Sequence, residues 1–148
     1  MKKAIVFKNV RKNYPKRFGV FVNLNLNKID EKDFAASSVE ILKNAVKDGA
    51  IGLKIYKNLG LNLKDSEGNR VKVDDKRLSA IWEACADLKI PVLIHSGEPS
   101  PFFDPIDKYN ERWLHARQKP RSFRPQDKYP SFDTVMQEQY NMFKRHSN

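Results

Sequence analysis

Two kinds of apolar pattern alternate along this chain. Short apolar runs recur near residues 18–26, 51–56 and 90–95. Each is followed by a stretch in which apolar residues return every three or four positions. The runs read as strands and the periodic stretches as amphipathic helices. The first run holds Phe18, Val20, Phe21, Val22, Leu24 and Leu26, with a turn at Asn27-Lys28-Ile29-Asp30. Asp33 is placed to cap a helix over about 33–48, with Phe34, Ser38, Ile41, Leu42, Ala45 and Val46 on one face. Gly49 is the residue expected to end it in a left-handed conformation.

Ala50 to Tyr56 forms the second strand, and a polar excursion follows. Within it, the turn Asp65-Ser66-Glu67-Gly68-Asn69 would close a small hairpin between 61–63 and 71–73. Asp74 or Asp75 would cap a helix near 75–88 whose buried positions are Leu78, Ile81, Trp82, Cys85 and Leu88. The third run, Pro91-Val92-Leu93-Ile94-His95, is continuous enough to predict a strand buried on both faces of a parallel sheet. Ser131 would cap a last helix near 131–145, with Phe132, Val135, Met136, Gln139 and Phe143 along its stripe. Strand-helix alternation of this order gives right-handed crossovers and a parallel sheet.

In parallel α/β folds the chemistry gathers beyond the carboxyl ends of the strands, which is where His95 stands. No glycine-rich phosphate loop follows any strand, so nucleotide binding is not indicated. Ser96 to Pro130 carries six prolines and is too long for an ordinary connection; such segments are usually lids or binding loops.

Composition adds limits. The chain has 148 residues, 40% of them hydrophobic, which suits one globular domain. No run approaches the length of a membrane span, and Lys8 and Arg11 interrupt the apolar start too early for a secretory signal. One cysteine, Cys85, excludes an internal disulfide and fits a reducing, cytoplasmic setting. The net charge of +10 is spread along the chain without a nucleic-acid motif, so neither nucleic acid nor membrane is expected as a partner.

Gly49-Ala50-Ile51-Gly52-Leu53-Lys54-Ile55, the helix Asp75 to Glu83 and Ile90-Pro91-Val92-Leu93-Ile94-His95, in that order, resemble the amidohydrolase-related (amidohydrolase 2) family of metal-dependent TIM-barrel hydrolases. Tyr14-Pro15-Lys16-Arg17-Phe18 also looks like the approach to the family's third strand. The resemblance implies a mononuclear site, usually zinc, at the barrel mouth. Its ligands would be a His-x-His pair on the first strand, a histidine ending the fifth and an aspartate ending the eighth. It further implies that a metal-bound water attacks the carbonyl of a small organic substrate, or that the metal supports decarboxylation in one branch. His95 matches the fifth-strand histidine.

The departures are as informative as the match. The other histidines are His115 and His146, and no His-x-His occurs. The chain reads as a partial (β/α)8 barrel, a single segment over 1–148 with strands three to five and their helices. On that expectation it is an internal fragment of a hydrolase, without a complete active site and inactive alone. A non-catalytic basic scaffold is the competing reading. Exposed sheet edges would then favour self-association.

Several residues are candidates for binding a small-molecule substrate. Lys54, inside an apolar strand, would bind a substrate anion or, carbamylated, a metal; the alternative is that it snorkels to the strand end. Glu98 would orient a ligand histidine or shuttle a proton, or is simply a solvated carboxylate. Asn110, Glu111, Arg112 and Trp113 would recognise a carboxylate, because Arg pairs with it bidentately, or would merely pack the loop on the barrel rim. Cys85 and Trp82 read as core. The 65–69 turn lacks the spacing of a calcium loop.

Overall fold

The computed structural model describes residues 9–10 and 12–146. The basic start from Met1 to Lys8, Arg11 and the last two residues lie outside these. Three short strands, β1 (Phe21–Val22), β2 (Gly52–Ile55) and β3 (Val92–Ile94), form one sheet in the order β1-β2-β3. Both pairings are parallel, with Phe21 opposite Gly52, Leu53 opposite Val92, Lys54 opposite Leu93 and Ile55 opposite Ile94. The α-helices that lie wholly among the described residues are, in chain order, α1 (Phe34–Lys47), α2 (Ser79–Asp87), α3 (Trp113–Gln118) and α4 (Phe132–Arg145). No helix among the described residues is long and apolar enough to cross a membrane. Two compact units result. One comprises the described part of Met1–Ile55 with Lys76–His95, the other Tyr56–Asp75 with the described part of Ser96–Asn148.

The first unit contains the sheet. Leu53 and Ile55 share one face of β2 and are buried, as is Val22 beside Leu53. Right-handed crossovers put α1 and α2 on one side of a parallel sheet, and the two helices pack on each other. Both end in the same way. Gly49 (φ 96°) sends its N–H to Val46 O while Ala50 N–H reaches Ala45 O, each at 2.8 Å. Lys89 (φ 55°) and Ile90 repeat these bonds onto Ala86 O and Cys85 O. Each is a Schellman motif, which satisfies carbonyls left over at a helix end. Glycine suits the left-handed position; Lys89 occupies it at a conformational cost.

Several expectations need correction. The strands are shorter than the apolar runs. After β1, Asn23 Nδ2 donates to Lys54 O at 2.8 Å and the Asn25 side chain caps a 3-10 turn over Leu26–Lys28. These amide side chains compete with the ladder, so the run through Leu24 and Leu26 leaves the sheet. β3 is not buried on both faces: it is an edge strand, and Leu93 is 53% exposed. Ile41 on α1 is 52% exposed, and the buried stripe is Phe34, Ser38 and Leu42. Asp33 takes the N-cap position of α1 but makes no side-chain cap bond. The helix expected from 75 opens as a 3-10 turn, Lys76–Leu78, and becomes α-helical at Ser79 with no side-chain cap.

The second unit combines the polar excursion with the long segment and α4. The hairpin reduces to one antiparallel bridge, Lys64 with Arg70, around an Asp65 side chain that accepts the Glu67 and Asn69 N–H groups. The stripe of α4 is rotated from the expected one: Val135, Glu138 and Met142 are buried, whereas Phe143 is 50% exposed. The cause is an ion pair. Glu138 takes both Arg70 guanidinium nitrogens (2.5 and 2.9 Å) and the Val73 N–H (3.1 Å), which draws a carboxylate inside. Ser131 caps α4 as expected, accepting from Thr134 N–H.

Candidate functional site

The carboxyl ends of the strands were the place to look, and each unit offers its own cluster. In the first unit, strand alternation puts Lys54, Leu93 and His95 on the sheet face opposite the buried Leu53 and Ile55. His95 is exposed, and its backbone N–H donates to Ile55 O at 3.0 Å, which extends the ladder one residue past β3. Lys54 is half-buried. Gly52 lies on the same face below them. A Cβ there would run into the Phe21 ring and sit 2.7 Å from Pro91 O, so only glycine lets these groups close over the strand.

In the second unit, Glu98 is nearly buried and tied at Oε1 by two cations, Lys57 Nζ and Arg124 Nη2, each at 2.6 Å. Arg124 is itself fixed: its Nη1 donates to Arg121 O and Phe123 O, and its guanidinium lies over the Tyr129 ring. Glu98 is thus held as a paired carboxylate. Asn110 has a structural task as well, donating to Pro101 O (2.8 Å) and Pro105 O (3.0 Å) and accepting from Arg112 N–H (2.8 Å). Arg112 is exposed, 3.5 Å from Glu111 and 6.0 Å from the Phe102 ring centroid. Trp113 opens α3 with Arg117 over its ring. The expected cluster is therefore local to the start of α3, and among the described residues no hydrogen bond joins it to Glu98.

Sequence reading missed Lys57 and Arg124 as partners of Glu98, although Lys57 stands just past the end of β2, where functional residues concentrate. It also missed the bond between His115 Nε2 and Ser122 Oγ (3.2 Å), with the His115 ring edge-on to Phe102. Cys85 is buried as expected, and burial pushes its thiol up to about 11.

A metal held by this chain needs converging donors. Among the described residues no three His, Cys, Asp or Glu side chains come together. The residues outside them (positions 1–8, 11 and 147–148) add none of these four types. His95 stands as a single exposed imidazole, and the residues present do not fit a bound zinc.

No family model matches the sequence, and no curated protein matches it. Among solved structures, the crystal structure of 2,6-dihydroxybenzoate decarboxylase complexed with 2,6-dihydroxybenzoate is similar, with a TM-score of 0.55 and 17% identity. The match covers 99% of this chain and 41% of that one. That chain is a TIM barrel. At this identity the likeness is one of fold: an α/β chain with a parallel sheet, similar to part of a barrel.

Proposed function

We propose that this chain corresponds to strands three to five of a metal-dependent TIM barrel of the amidohydrolase-related hydrolases and decarboxylases. The observation carrying this reading is the parallel β1-β2-β3 order with His95 at the carboxyl end of β3, on the face turned away from the buried Leu53 and Ile55. Barrels present their functional side chains at that end of the strands. The fold likeness to a decarboxylase over 99% of the chain supports it. On this reading His95 is one ligand of a divalent metal, zinc in the complete barrel. Lys54, on the same face, meets the anionic end of a small organic acid. Arg112 and Trp113, with Asn110 and Glu98 shaping the loop, contribute to acid recognition. Decarboxylation of a small aromatic acid is the chemistry the fold neighbour favours; hydrolysis of an amide or lactone is the second reading, resting on the sequence resemblance. The isolated chain is inactive, because one imidazole is too few donors.

A zinc titration followed by NMR tests the role of His95. The expected result is weak binding that perturbs the His95 ring first and disappears in His95→Ala. Tight binding elsewhere, or zinc that leaves His95 untouched, contradicts the assignment.

A further inference from the structure

Charge does not balance around Glu98. Its Oε1 accepts from both Lys57 Nζ and Arg124 Nη2, and among the described residues neither cation has another acidic partner. Two positive charges meet one negative, so the cluster carries a surplus of one. Arg124 is fixed in place: its side chain and that of Glu98 are each 11% exposed. Its Nη1 is committed to the carbonyls of Arg121 and Phe123, and the Tyr129 ring lies against its face. A guanidinium does not lose its proton, and an uncompensated charge held out of water is costly. The surplus is therefore reached through Lys57, whose side chain is 44% exposed. An ammonium has three N–H donors, and Glu98 takes one of them.

The turn that carries Glu98 holds a second unused donor. Ser96 Oγ is buried and has no hydrogen-bond partner among the described residues. Ser96 as a whole is only partly buried, so one χ1 step turns its hydroxyl outward. Gly97 between Ser96 and Glu98 has φ 65° and lies against Val135, Met136 and Phe103, which seats the turn on α4. A surplus of one charge suits an anion of one charge. A phosphate dianion would reverse the sign of the cluster and press against Glu98, whereas a carboxylate neutralises it. We propose that Lys57, with Arg124 behind it and the Ser96 hydroxyl as second donor, binds the carboxylate of a small, singly charged organic acid. All four residues belong to the second unit. The inference needs neither a metal nor the barrel assignment, so the zinc titration of His95 can fail or succeed independently of it.

The test is a benzoate titration of the whole chain in the presence of EDTA, at constant ionic strength set by chloride. It is read from the Gly97, Glu98 and Arg124 amide signals by NMR. The controls are benzamide, the uncharged counterpart, and inorganic phosphate as the dianion. Benzoate should bind saturably, and each control should bind about tenfold more weakly. Lys57→Gln should weaken benzoate by a similar factor, and Lys57→Arg should restore most of the loss. Glu98→Gln raises the surplus to two and should tighten benzoate severalfold while bringing phosphate binding up. An ion pair with a structural role alone gives no such gain. Circular dichroism checks that each variant folds; if Glu98→Gln does not, the two Lys57 variants decide. Absence of saturable benzoate binding, equal binding of benzamide, or full benzoate affinity in Lys57→Gln overturns the proposal. So does a folded Glu98→Gln that binds benzoate no better than the parent.

Discussion

The two units are held together by different physics. In the first, regular elements bury Leu53, Ile55, Leu42, Leu78, Ile81 and Trp82, and backbone bonds close the ladder and both helix ends. In the second, polar side chains reach across long stretches of sequence: Glu138 to Arg70 and Val73, Glu98 to Lys57 and Arg124, and Arg145 to Asp74 O. Apolar burial is non-directional and tolerates approximate placement. Buried ionic links are unforgiving, because losing one partner strands the other in a poorly solvating medium. The first unit should therefore yield gradually to substitution, and the second should depend on a few residues.

The largest expected effect is at Glu138. Glu138→Ala leaves the Arg70 guanidinium without its carboxylate and should cost about 3–5 kcal/mol in urea unfolding. The double change Arg70→Met with Glu138→Leu should cost less than that single one, because it removes both charges together. Equal losses would mean that apolar packing governs this unit too.

In the first unit, Leu53→Ala should cost about 2–5 kcal/mol by opening a cavity in the core. Ile41→Ala, on the exposed face of α1, should stay within about 0.5 kcal/mol. Similar losses at both sites would contradict the observed stripe.

Lys89→Gly should stabilise by about 0.5–1 kcal/mol, since glycine adopts the left-handed conformation at that helix end without the Cβ penalty. A thermal melt checks the sign.

The smallest effect concerns Cys85. Its thiol, raised to about 11 in the folded chain from 9.0, stays protonated and unreactive toward a thiol reagent at pH 8 until the protein unfolds. Because the folded value is the higher one, stability contributed by this group is present below pH 9 and fades as the pH climbs toward 11. Rapid labelling of folded protein would contradict its burial.

Legibility in the sequence follows the same division. Periodicity located α1 and α4 to within a residue or two and found all three strands, and Gly49 marked its helix end, because apolar spacing and glycine are local signals. What failed was specified at a distance. The inward turn of Glu138 depends on Arg70, sixty-eight positions away, so a stripe drawn from apolar residues alone selected Phe143 instead. The apolar run of β3 looked like a central strand, and only the strand order reveals it as an edge. Asp74 looked like a helix cap, yet its carboxylate accepts from Asn141 Nδ2 and its carbonyl from Arg145. Of the candidate site, His95 was legible at the end of its strand, whereas the direction of Lys54 stayed open and follows only from the register of β2 with β3. The pairing of Glu98 with Lys57 and Arg124 was not legible, since irregular loop backbone brings them together.

The proposal to test first is the role given to His95, one ligand of a metal site for which the chain's other described residues supply no partners. Metal analysis of the purified chain after incubation with zinc, with 2,6-dihydroxybenzoate then offered as substrate and carbon dioxide release recorded, tests it most directly. The account predicts metal well below one equivalent per chain and no release above the uncatalysed rate. One tightly held metal per chain together with turnover would contradict it.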